Sequence, residues 1–249
     1  MSATPGADAP VIVALGDSLA AGFQPGQGVV PATSYPARFT EIASARGSGL
    51  SMVNLACSGE TAHTMIEGGD CTYAAGNQLA EAVATLTERG ESVAAVTIDI
   101  GGNDMLRCLS ASGPDAACGT SAVADLSERL GTILGQLRVA APQTPIALVS
   151  YYDPFSVLPM LTADNKAIIA DLWSQLNAAL ASQAQLHNAT LVDLSGIFPL
   201  GEVTSSASPS ADNPVCSLTW MCSRGDFHLN DAGALAVGQQ VATALPDVR

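Results

Sequence analysis

Four short blocks of this chain hold the residue types that acyl transfer uses. An apolar run from Val11 ends in Gly16-Asp17-Ser18, and a second run ends in Cys57-Ser58-Gly59-Glu60-Thr61. A third leads into Gly101-Gly102-Asn103-Asp104, and Gly225-Asp226-Phe227-His228 lies near the carboxyl terminus. Acyl transfer needs a hydroxyl made nucleophilic, a base to take its proton, and donors for the oxyanion that forms. Ser18 offers the hydroxyl. The His228 imidazole, with an ordinary pKa of about 6.5, exchanges protons near neutrality. The Ser18 and Gly59 N–H groups and the Asn103 side-chain amide are neutral donors that do not titrate.

Blocks so far apart can meet only if the fold gathers them. Five apolar runs, at residues 10–17, 51–56, 93–100, 146–152 and 189–194, read as strands buried on both faces. Helical patterns occupy 35–46, 78–89, 122–140, 163–187 and 231–245, with Asn230 or Asp231 as the N-cap of the last. Such alternation implies an α/β fold, a doubly wound sheet of five parallel strands with helices on both faces. All strand carboxyl ends then share one edge, where open α/β sheets bind ligands. Three connections are long: 101–121, the apolar stretch 153–162, and 196–225, in which 204–213 reads as a solvated insertion. One domain spans 8–249, preceded by a flexible start at 1–7.

Composition narrows the partners. Of 249 residues, 48% are hydrophobic, enough for one substantial core. Twenty-three acids against nine bases give a net charge of −14. A surface so poor in Lys and Arg suits neither nucleic acid nor an anionic membrane. No stretch reaches the ~20 apolar residues of a membrane span, so no stable insertion is expected. Six cysteines, Cys57, Cys71, Cys108, Cys118, Cys216 and Cys222, allow 15 three-bridge connectivities. Neighbours along the chain are the expected pairs: 57–71, 108–118 and 216–222. Cys57 as a free buried thiol is the other reading. A metal is not expected, because no CxxC occurs and only three His exist. Bridged cysteines imply an oxidising compartment, and the opening MSATPGADAP reads as the start of a mature, secreted chain.

The four blocks, in this order, resemble those of the SGNH hydrolases, the GDSL-type esterase and lipase superfamily. Gly16-Asp17-Ser18-Leu19 matches the first block and puts Ser18 at the family's nucleophile position. Gly59 matches the second, in a CSGET setting similar to the CSGAT of secreted actinobacterial members. Gly101-Gly102-Asn103-Asp104 matches the third, and His228 the last. The segment VCSLTWMCS is similar to actinobacterial members that share WTWMC. The resemblance implies a flavodoxin-like fold, no cofactor, and hydrolysis of esters. One departure stands out. The family commonly carries an acid three residues before the histidine; that position is Gly225 here, and Asp226 sits two before. The Asp226 carboxylate, a backbone carbonyl of residues 223–225, and a remote acid are all open as the partner of His228.

Plainer roles compete with these. Ser18 could serve only as a helix N-cap, and Gly59 and Asn103 only as turn residues. Asp17 is expected to brace its turn through local backbone rather than act as an acid. His63 and His187 are expected to stand apart from the chemistry, with His187 exposed at a helix end. Ser58 lacks the GxSxG of an α/β-hydrolase elbow. Phe155, Val157, Leu158, Met160 and Leu161 divide between core and acyl pocket. The expected function is a secreted serine carboxylester hydrolase, a monomer acting on a small-molecule or lipid ester. Its alternatives are an acetyl-sugar deacetylase of the same superfamily and a non-enzymatic flavodoxin-like module binding phosphate or flavin.

Overall fold

The computed structural model describes residues 10–47, 49–110, 112–199 and 212–248. The expectations for 1–7, and for 204–213 apart from its last two positions, lie outside the described residues. Five parallel strands form the sheet: β1 (Val11–Gly16), β2 (Ser51–Asn54), β3 (Val93–Asp99), β4 (Ile146–Val149) and β5 (Thr190–Val192). Their order is β2-β1-β3-β4-β5. The helices are α1 (Ser18–Ala21), α2 (Tyr35–Ser44), α3 (Ala62–Glu67), α4 (Gln78–Arg89), α5 (Gly102–Leu106), α6 (Ala116–Ala140), α7 (Ala163–Leu186), α8 (Pro214–Leu218), α9 (Met221–Arg224) and α10 (Asp231–Ala244).

Alternation along β1 explains the two layers. Val11, Val13 and Leu15 point into one core with side chains of α4, α6 and α7. Ile12 points into the other, with Tyr35 and Phe39 of α2 and Val237 and Val241 of α10. Burying each aliphatic side chain contributes roughly 1.5–3 kcal/mol. The central strands β1 and β4 are buried along their whole length. The edge strands differ from expectation: every residue of β2 is half-buried and Thr190 of β5 is exposed. An edge strand has a neighbour on one side only, so its side chains keep partial contact with water.

Register sets where the loops emerge. Gly16 lies opposite Asp99, so β1 and β3 finish level, and a shift between Val11 and Ile12 produces that alignment. At the other pole Arg138 near the end of α6 donates to the carbonyls of Ala141, Pro142, Thr144, His187 and Asn188. One guanidinium thereby joins the carboxyl ends of α6 and α7 to the entries of β4 and β5.

The stretch 101–121 is not one long loop. It holds α5, a small hairpin pairing Leu109–Ser110 with Gly113–Pro114, and the first turns of α6. Asp115 caps α6 by accepting from the Cys118 N–H. Gly119 is there because α7 passes close: a Cβ at that position would lie 2.4 Å from Leu172 Cδ2. The cysteines form three bridges, Cys57–Cys71, Cys108–Cys118 and Cys216–Cys222, so Cys57 is not a free thiol. Asn230 is the N-cap of α10, accepting from the Gly233 N–H. Among the described residues no helix is long and apolar enough to cross a membrane.

Candidate active site

Ser18 opens α1 directly beyond β1 and is 5% exposed. The preceding residue holds the turn. Asp17 Oδ1 accepts from the Leu19 N–H at 2.9 Å, and Asp17 Oδ2 accepts from the Tyr151 hydroxyl at 2.6 Å. The Asp17 N–H in turn donates to Asp99, to its carbonyl at 3.2 Å and its Oδ2 at 3.3 Å. Asp99 Oδ1 accepts from the Tyr35 hydroxyl at 2.7 Å. Two carboxyls and two phenols thus lie buried beneath the serine. Burial, and then the charge of Asp17, hold the Asp99 carboxyl well above the usual carboxylate range. Burial and the neighbouring acids likewise raise the Tyr35 and Tyr151 hydroxyls.

A second support comes from α4. Gln78 is fully buried, accepts from the Gly16 N–H at 2.7 Å and donates to the Gly16 carbonyl at 3.0 Å. The same amide donates to Glu60 Oε2 at 2.8 Å. The loops after β1 and β2 are therefore joined through one side chain. Burial raises the Glu60 carboxyl.

His228 arrives from the far end of the chain. Its Nε2 lies 2.8 Å from Ser18 Oγ. Its Nδ1 lies 2.7 Å from Asp226 Oδ1, which also accepts from the His228 backbone N–H at 2.9 Å. Of the three partners left open by the sequence, the Asp226 carboxylate is the one in contact. Gly225, with φ of 68°, ends α9 in the left-handed region and turns the chain so that this short spacing closes. The ring is held on its faces as well. Phe23 and Phe227 lie 4.4 Å and 4.5 Å from it, centroid to centroid. Tyr152 donates to the Phe227 carbonyl at 2.5 Å, and the Trp220 N–H donates to the His228 carbonyl at 3.0 Å. His228 is 8% exposed.

Asn103 is the second residue of α5 and lines one pocket with Ser18. Its amide donates to the Glu60 carbonyl at 2.9 Å, leaving a second N–H. Asp104 accepts from the Ala62 N–H at 3.0 Å and completes the tie between the loops after β2 and β3. Gly59 is exposed and does not line that pocket; neither its N–H nor that of Ser18 donates to another group among the described residues.

Other candidates stay apart. His63 is exposed, whereas His187 is half-buried rather than exposed, with its carbonyl taken by Arg138. Of the apolar stretch after β4, Val157 is buried and Phe155, Leu158 and Leu161 pack against the two cores, while Met160 is 74% exposed. Pro154, not any of these, lines the Ser18 pocket. No cluster of three or more His, Cys, Asp or Glu could hold a metal among the described residues. Asp99, Gln78, Tyr151 and Phe23 shape the site but belong to none of the four sequence blocks. Asp99 carried a usable signal: a lone acid inside an apolar central strand must be buried, and buried acids need partners.

A nucleophile, an imidazole and a carboxylate in one hydrogen-bonded line, beside an amide with a spare donor, can perform acyl transfer. Residues 14–236 match the sequence profile of the GDSL-like Lipase/Acylhydrolase family. The chain belongs to that family. By class this GDSL-family member is a carboxylic ester hydrolase, which sets aside the non-enzymatic flavodoxin-like module. Its fold is similar to that of phospholipase A1 from Streptomyces albidoflavus NA297, with TM-score 0.62, 21% identity, and coverage of 97% of this chain and 100% of that one. The extracellular lipase from Streptomyces rimosus gives the same four figures. The psychrotrophic esterase EstA from Pseudoalteromonas is similar at TM-score 0.57 and 17% identity, covering 95% of this chain and 96% of that one. These identities speak for a shared fold. No curated protein sequence matches the GDSL-family chain closely enough to count as a relative.

Proposed function

We propose that this chain is a secreted serine esterase that hydrolyses acyl esters through Ser18, His228 and Asp226, with Ser18, Gly59 and Asn103 as oxyanion donors. The observation that carries the reading is the continuous line from Ser18 Oγ through both imidazole nitrogens to Asp226. The Asp226 carboxylate accepts a hydrogen bond from Nδ1–H, so Nε2 carries no proton and accepts from the serine hydroxyl. As Oγ bonds to the ester carbonyl carbon, its proton passes to Nε2, and the carbonyl oxygen becomes an oxyanion. The spare Asn103 N–H and the unengaged Ser18 and Gly59 N–H groups stabilise that charge. Collapse breaks the bond to the alcohol oxygen, which leaves with the proton from Nε2. Water then attacks the acyl-serine by the same route and regenerates the hydroxyl. No cofactor takes part.

Secretion is supported by three disulfides, since such bridges persist in oxidising surroundings. The enzyme acts as a monomer. The test is Ser18→Ala. It should lower turnover of p-nitrophenyl acetate by at least about 10⁴-fold with an unchanged melting temperature, and should abolish labelling by a fluorophosphonate. Retained turnover in that variant would remove Ser18 from the reaction.

A further inference from the structure

We infer that the enzyme is selective for esters of short acids, acetyl to about butyryl, because Trp173, with Leu106, closes the acyl side of the Ser18 pocket. The inference rests on the reading of Ser18 as the attacking group. The leaving alcohol must take its proton from His228 Nε2, so it lies on the histidine side of Ser18. The Asn103 amide takes the carbonyl oxygen, and the acyl chain lies away from His228, toward Leu106 and Trp173 of the Ser18 pocket.

Space on that side is small. The cavity beside Ser18 and Asn103 has a volume of about 30 Å³. A single water needs roughly 10–15 Å³ by this measure, so the cavity takes about two or three water-sized groups. That accommodates the carbons of an acetyl to butyryl chain beyond its carbonyl and excludes an octanoyl tail. The lining is apolar apart from the reacting end, with Leu106, Pro154, Trp173 and Phe227 beside the rings of Tyr151 and Tyr152.

The wall is also braced. Tyr151 is tied to Asp17 and Tyr152 to the Phe227 carbonyl. Trp173 is 2% exposed, sits in the middle of a 24-residue helix, and meets Phe155 edge-on at 5.8 Å. Its indole N–H is buried with no acceptor among the described residues, so its bulk rather than a hydrogen bond explains this residue. On the histidine side the cranny between Ser18, Phe23 and His228 measures only about 10 Å³. The alcohol must then project outward from that cranny, where no described residue closes over it. An acetylated carbohydrate meets both conditions; a long-chain lipid ester does not.

The experiment is a p-nitrophenyl ester series from acetyl to decanoyl, each kept below its micelle concentration, on the wild type, Trp173→Ala, Leu106→Ala and Ser18→Ala. In the wild type kcat/KM should fall at least about 100-fold between butyryl and octanoyl, since methylenes forced against a packed wall lose 10-fold or more. Trp173→Ala, or Leu106→Ala if the first variant fails to fold, should raise the octanoyl-to-acetyl ratio about tenfold or more. Wild-type activity on octanoyl equal to that on acetyl, or a ratio unmoved in whichever variants fold, would overturn the inference. Either result with turnover still dependent on Ser18 leaves the mechanism standing. Turnover surviving in Ser18→Ala would instead sink the mechanism itself.

Discussion

The Asp226 carboxylate does two jobs with one oxygen, accepting from both the backbone and the ring of His228. Asp226→Asn keeps the size but can offer an N–H to Nδ1, which stabilises the tautomer that cannot take the serine proton. We expect kcat for p-nitrophenyl acetate to fall about 10³–10⁴-fold with little change in KM. A loss below about tenfold would mean that the carboxylate does not orient the imidazole. At this scale the four blocks were legible, because Ser18, Asn103 and His228 are residue types with few other reasons to occur in that order. The partner of His228 was not. A spacing of two reads as extended backbone, whereas the observed contact depends on Gly225 turning the chain in a left-handed conformation. The layer beneath Ser18 was illegible for another reason: Tyr35, Gln78 and Tyr151 look like ordinary helix and strand residues until the sheet brings them together.

Among the elements, β1 and β4 announced themselves as continuous apolar runs, and both are central. At the edges the apolar runs predict more burial than forms, because an edge strand needs apolar residues without being fully covered. The start of α6 is hidden in the sequence because Ala-Cys-Gly-Thr-Ser at 117–121 looks like a loop. Its small residues instead let α7 pack against it. The segment after β4 supplies a prediction of its own. Asp153 accepts from the Phe155 N–H at 2.8 Å, and burial pushes its carboxyl up to about 6. With the folded value above the ordinary ~3.9, the native state holds a proton that the unfolded chain releases between pH ~4 and ~6. The stability contributed by the neutral form is therefore lost as pH rises through that window. Asp153→Asn keeps the acceptor and removes the buried charge. It should match the wild type below pH ~4 and exceed it at pH 7–8 by up to ~2–3 kcal/mol. Thermal melts of both proteins across pH 3.5–8 check this; a less stable variant at pH 8 would show that the ionised form is needed, through Lys166 nearby.

Across the whole molecule, the two cores hold the layers together, while each bridge flanks a segment of the site. Cys57 precedes Gly59, Cys108 follows the helix that begins with Gly102 and Asn103, and Cys216–Cys222 joins α8 to the α9 turn leading into Asp226. Each bridge contributes ~2–4 kcal/mol by the usual measure. Titration with dithiothreitol should therefore abolish esterase activity at concentrations where the far-ultraviolet circular dichroism is still native, with a lowered melting temperature. Full activity after all six thiols are freed would show that the rim holds its shape without them. The bridges span only 14, 10 and 6 positions of sequence. Every cysteine finds its partner within the segment just synthesised, before a competitor downstream exists. Oxidative maturation of this chain should accordingly proceed with a simple oxidase, in order from the amino terminus, and without an isomerase to undo wrong pairings.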